Sequence, residues 1–138
     1  MATLTTDTPR DYQVGEKEDY PVIASDIIYE GAAVGENAAG YARPLVAADP
    51  FLGFAVSKAD NSDGAAGDIN VTVKTRGRAR LTVAGATAIT ANDRPAVYAS
   101  DDGTFTLTAT ANSKIGYVSR WIASTDCIVE FDALKVLA

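Results

Sequence analysis

Leu52-Gly53-Phe54-Ala55 and Ile115-Gly116-Tyr117-Val118 are two versions of one phrase, an apolar residue, a glycine, an aromatic and a small or branched residue, set 63 residues apart. A glycine inside a strand-like run marks a bulge or a close backbone approach. Two such glycines in equivalent settings point to two related halves. The offset extends upstream, where Ala33-Val34 matches Ala96-Val97 and Gly40 matches Gly103. With five fewer residues in the later loop, Asp68-Ile69-Asn70-Val71 also aligns with Asp126-Cys127-Ile128-Val129. The shared order is strand, glycine turn, strand, short loop, then a strand opening on the triplet.

The surrounding sequence reads as β throughout. Short apolar runs at residues 22–24, 27–29, 41–46, 51–57, 69–83, 96–99, 104–110, 115–122 and 127–131 alternate with turn signals. Asp49-Pro50, Asn61-Ser62-Asp63-Gly64 and Asp101-Asp102-Gly103 are the clearest of these. Residues 84–92 have a helix-like composition without an apolar stripe, so a single turn is expected there. The fold expected is all-β, a small barrel or jelly-roll-like sandwich, with the two halves closing it together. At 138 residues the chain suits one domain, assigned to residues 21–138. Residues 1–20 are polar and broken by Pro9 and Pro21. They read as an extended N-terminal arm anchored by Tyr12 and Tyr20, or as a terminus with no role.

Charge is unevenly placed. The net charge is −6, and the first 50 residues hold three basic and nine acidic side chains, so they carry the whole excess. An acidic chain draws little on phosphates or anionic lipid, which argues against nucleic acid and membrane partners. No apolar stretch approaches the roughly 18 residues of a membrane span, and no secretory leader opens the chain, so synthesis in a cytoplasm is expected.

The sequence contains no histidine and one cysteine, Cys127. Ser-His-Asp and Cys-His nucleophile systems are thereby excluded, with the usual zinc sites. Cys127 lies in an apolar run and reads as a small buried hydrophobe. Paired acids such as Asp101-Asp102 are explained by turn formation. No phosphate-binding glycine loop occurs, and the Asn61–Gly64 turn lacks the spaced ligands of a calcium loop. The expectation is a binding protein, not an enzyme, with no cofactor and no metal.

One constellation stands out. Between Val71 and Val83, strand alternation sets Lys74, Arg76, Arg78 and Arg80 on one face. They read as a solvated face, as a row neutralised by the acidic N-terminal third, or as a docking stripe for an acidic protein surface, with arginine gripping carboxylates. Gly77 would split the stripe if it bulged the strand. Trp121, by the same alternation, joins Ile115 and Tyr117 in the core or an oligomer seam.

The glycine-centred strands, the Gly67-Asp68 loop leading into Ile69-Asn70-Val71-Thr72-Val73, the Ala96-Val97-Tyr98 strand and the final β strand together resemble the small capsid decoration, or cement, proteins of tailed bacteriophages. The resemblance spans residues 21–131. It implies an all-β domain on the exterior of the virion that binds the major capsid protein and braces neighbouring subunits. It also implies a small symmetric homo-oligomer, a trimer in preference to a dimer. A host-surface or carbohydrate-binding β-sandwich is the alternative, and it requires exposed aromatics such as Trp121 beside polar loops.

Overall fold

The computed structural model describes residue 6, residues 16–89 and residues 93–134. Twelve strands are present among them: β1 Lys17–Pro21, β2 Asp26–Ile28, β3 Ala33–Glu36, β4 Ala42–Pro44, β5 Phe51–Ala55, β6 Ala59–Asn61, β7 Asn70–Lys74, β8 Arg76–Ala84, β9 Ala96–Ala99, β10 Phe105–Thr106, β11 Ser113–Ala123 and β12 Asp126–Asp132. The fold is all-β, a small closed barrel with additional sheets. Ala88 and Ile89 are helical, within the segment where one turn was expected, and residues 90–92 lie outside the described residues.

The five strands of each main sheet correspond one for one, while β2 and β6 pair as a separate two-stranded sheet without a counterpart among the described residues. The first sheet runs β1-β7-β5-β3-β4, and the second closes into a barrel in the order β8-β12-β11-β9-β10. The register repeats with it. Ala33 pairs with Phe54 and Val34 with Gly53, as Ala96 pairs with Tyr117 and Val97 with Gly116. In each ladder the next pair skips one residue, Leu52 in β5 and Ile115 in β11, which is a bulge at the same place. Val34 through Glu36 pair antiparallel with β4, as Tyr98 and Ala99 pair with β10. Even the closing contact recurs. β10 meets β8 in parallel at Phe105 and Val83, and a single parallel bridge joins Ala42 to Val22.

Two details differ from expectation. The halves do not share one barrel; each forms its own five-stranded ladder. The final strands also align two residues away from the sequence match. Ala55 pairs with Val73 as Val118 pairs with Val129, so Val71 and Val73 correspond to Cys127 and Val129. A slip of two keeps every side chain on its own face, which is why the apolar pattern looked right at either alignment.

Each half has its own apolar core. Val22, Ile28, Val34, Leu52, Val71 and Val73 fill the first. Val83, Val97, Ile115, Val118, Cys127 and Val129 fill the second. Cys127 is fully buried, and that burial raises its thiol pKa, with Asp126 adding to the effect. The halves are joined by phenylalanines. The bulge at Leu52 breaks the two-residue alternation, so Phe51 and Phe54 emerge on the same side of β5 and pack against the second core. Their rings meet Phe131 edge-on, with centroids 6.3 and 4.8 Å away. Phe54 also lies 5.9 Å from Phe105.

The ordered fold begins before Pro21. Lys17 to Tyr20, assigned to the arm, form β1 with Pro21 and pair along β7. The remainder of that arm, apart from residue 6 and Glu16, lies outside the described residues.

Candidate partner interface

The basic residues meet where the halves join. The run at residues 69–83 is two strands, β7 and β8, separated by Thr75. Lys74 therefore ends a strand of the first half, while Arg76, Arg78 and Arg80 belong to the second. Gly77 does not bulge β8, whose register against β12 is continuous from Arg76 to Thr82. Its missing side chain instead leaves room for Lys74, since a Cβ there would lie 3.0 Å from Lys74 Cε. The split comes at Thr75, and the three arginines stay on one face of β8.

Among the described residues, Arg78 and Arg80 make their ion pairs with β12. Across the ladder Arg76 lies opposite Asp132, and Arg78 opposite Glu130. Arg78 Nε donates to Glu130 Oε1 at 3.1 Å, and Arg80 Nη2 donates to Asp126 Oδ2 at 3.0 Å. Asp126 also accepts from Thr82 Oγ1 at 3.1 Å. The Arg80 hydrogen bond, and then that of Thr82, hold the Asp126 carboxyl below the ordinary carboxylate range. Both ion pairs are exposed, so solvent screening leaves each a small contribution to stability. Glu130 and Asp126 were legible only as members of an alternating strand; the pairing that brings them to the arginines spans the second half of the chain.

Two clefts flank this crossing. One, of about 580 Å³, lies among Glu16, Lys74, Arg76, Tyr117, Glu130 and Asp132. The other, of about 320 Å³, lies between Gly31, Ala55 and Val56 of the first half and residues 78–81 of β8. Thr75 N–H donates to the Glu16 carbonyl at 2.8 Å, which ties the start of the described chain to the rim of the first cleft.

The aromatic candidates separate. Tyr12 lies outside the described residues. Tyr20 sits in β1, half-buried against the first core, and burial followed by Glu18 and Glu36 raises its phenol pKa. It is thus a sheet residue, not an arm anchor. Trp121 packs against the second core and its Nε1 donates to the Ser124 carbonyl at 2.7 Å. It does not share a face with Tyr117. Register shifts after Lys114, Val118 and Trp121 break the alternation of β11, leaving Ile115 buried and Tyr117 48% exposed. Trp121, the residue named for the carbohydrate reading, is partly buried, whereas Tyr29 and Tyr117 are exposed aromatic side chains.

The sequence does not single out Lys114, and its alternation places Tyr117 with Ile115 and Trp121. Tyr117 and Lys114 stand in the second half where Phe54 and Phe51 stand in the first. Lys114 Nζ donates to Tyr117 Oη at 2.7 Å, with the ammonium 4.6 Å from the ring centroid. The face that is covered in the first half is open and polar in the second, as at the end of a repeat array.

No cluster of three or more His, Cys, Asp or Glu side chains able to hold a metal occurs among the described residues. No described helix is long and apolar enough to cross a membrane. No family model, curated protein or solved structure matches the chain.

Proposed function

We propose that the chain is a structural virion protein that binds the outside of a bacteriophage capsid and stabilises contacts between major capsid subunits. The observation that carries this reading is the duplicated five-stranded ladder, welded by Phe51, Phe54, Phe105 and Phe131, with the arginines of β8 displayed beside the junction. The glycine-centred strands that prompted the resemblance are the bulged central strands of that duplication. A sheet and a barrel packed into one block suit bracing, because each half can offer a surface to a different capsid subunit. Capsids offer many identical sites, so modest contacts suffice when one decorating unit engages several subunits at once. A small symmetric oligomer, a trimer in preference to a dimer, would multiply those contacts.

The test is to prepare phage heads with and without the protein and to measure their rupture on heating and osmotic shock. Heads carrying it should withstand harsher treatment. Equal lability, or failure of the purified protein to attach to bare heads, would refute the role.

A further inference from the structure

Among the described residues, strand β8 has a neighbour on one side only along most of its length. It pairs with β12 from Arg76 to Thr82, while β10 reaches it only at Val83 and Ala84. Bonds at the two ends fix which backbone groups face β12. Ala133 N–H donates to the Thr75 carbonyl, and Val83 N–H donates to the Thr125 carbonyl, each at 2.8 Å. The intervening register is unbroken. Alternation along an antiparallel pair then turns the odd-numbered residues of β8 toward β12. The N–H and C=O groups of Arg76, Arg78, Arg80 and Thr82 point the other way. No backbone partner meets them among the described residues. The smaller cleft, bounded opposite by Gly31, Ala55 and Val56, gives this edge free space.

Exposed edges are normally blunted by charge or proline. The first half uses proline. By the repeated register, Lys17, Asp19 and Pro21 of β1 occupy the places of Arg78, Arg80 and Thr82. Pro21 has no N–H to offer. The second half keeps every donor and sets arginines along the edge. Such a row repels a second β8, whose arginines would face its own, but it attracts an acidic strand. The existing ion pairs engage one nitrogen each of Arg78 and Arg80, and a guanidinium has further donors.

We propose that the β8 edge takes up an extended segment of a partner protein by strand addition, a segment that alternates acidic with apolar residues. Its acidic side chains lie beside Arg76, Arg78 and Arg80, and its apolar ones turn to the side of Ala79 and Leu81. Main-chain bonds supply affinity and the alternating side chains supply selectivity. This deepens the proposed function and rests on it for the segment's source, a capsid subunit; the segment's chemistry rests on the edge alone.

The test uses the full chain and a capped peptide of alternating glutamate and valine, read by residue-resolved amide hydrogen exchange. In the free protein the Arg78 and Arg80 amides should exchange roughly tenfold or more faster than those of Ala79 and Leu81. Peptide should slow the first pair selectively. Equal protection of all four amides in the free protein, or peptide that fails to protect Arg78 and Arg80, overturns the proposal. Thr82→Pro copies what the first half already carries and should weaken peptide binding roughly tenfold, the loss of about one hydrogen bond. Should that variant not fold, Arg78→Gln with Arg80→Gln keeps the backbone. It should weaken the glutamate peptide and spare one alternating glutamine with valine; equal effects on both overturn the charge readout. Decorated heads with no peptide uptake sink the edge and leave the capsid role standing. Peptide uptake by a protein that leaves heads bare does the reverse.

Discussion

Gly116 lies so close to the Glu130 carbonyl that a Cβ would overlap it, and Gly53 stands in the same relation to the Lys74 carbonyl. Each glycine follows the bulged residue of its strand, and each is overrun by the neighbouring strand at that point. This is the physical reason for the repeated apolar-Gly-aromatic phrase. Gly53 also holds φ at +135°, a region side chains avoid.

Alanine at either position should therefore destabilise the protein, because the obstacle is backbone and cannot swing aside. Gly116→Ala should cost about 1–3 kcal/mol, and Gly53→Ala more, since strain adds to overlap. Urea unfolding of both variants checks this. Costs below about 0.5 kcal/mol at both positions would show that the strands do not approach as described.

Phe54 is the centre of the junction, within ring-contact distance of Phe51, Phe105 and Phe131. Phe54→Ala should cost about 3–5 kcal/mol. The loss falls where β5 of the first half enters the second core, so it should also loosen the coupling of the halves. Thermal unfolding followed by Trp121 fluorescence, which reports the second half, and by far-ultraviolet circular dichroism should then give separate midpoints where the parent protein gives one. Coincident midpoints in the variant would show that the halves stay coupled without the phenylalanine.

The duplication was legible because glycine has a steric reason to recur where strands crowd, whereas the apolar residues around it only need to be apolar. Strand faces were legible where ladders are unbroken, as in β8, whose arginines do share a side. They were illegible in β11, where three register shifts reset the alternation and carried Tyr117 away from Ile115. Strand ends were missed for a related reason. Thr75 carries no turn signal, yet the chain passes there from one ladder to the other. The partners of Arg78 and Arg80 lie about fifty residues onward along the chain, and only the topology chooses them over the richer supply of acids near the N-terminus.

Asp102 is half-buried beside the junction, where its carbonyl accepts from Ala33 N–H at 2.9 Å. Burial raises its carboxyl pKa, and the nearby Asp101 and then Asp26 reinforce the shift. A carboxyl whose folded pKa exceeds its unfolded value disfavours folding while ionised. The penalty holds above the folded pKa and fades as the pH falls through it. Asp102→Asn should accordingly raise the melting temperature near neutral pH while preserving the backbone contact. The gain should shrink on acidification through the carboxylate range. A variant that melts lower than the parent at neutral pH would contradict the sign.

Asp126 shifts in the opposite direction, and the sign of its effect follows. Its folded pKa is depressed by hydrogen bonds from Arg80 and Thr82. Its contribution to stability is therefore present above the unfolded pKa and is lost as the pH falls through the folded one. Asp126→Asn and Arg80→Ala, alone and combined, form a double-mutant cycle that isolates their coupling. The pair is exposed, so the coupling should be small and favourable at neutral pH. It should weaken as salt is raised, because solvent ions screen such a pair. Below the carboxylate range it should vanish, since a protonated Asp126 no longer attracts the guanidinium. A coupling that survives both acid and high salt would mean that the ladder is held by packing of the arginine stems and not by charge.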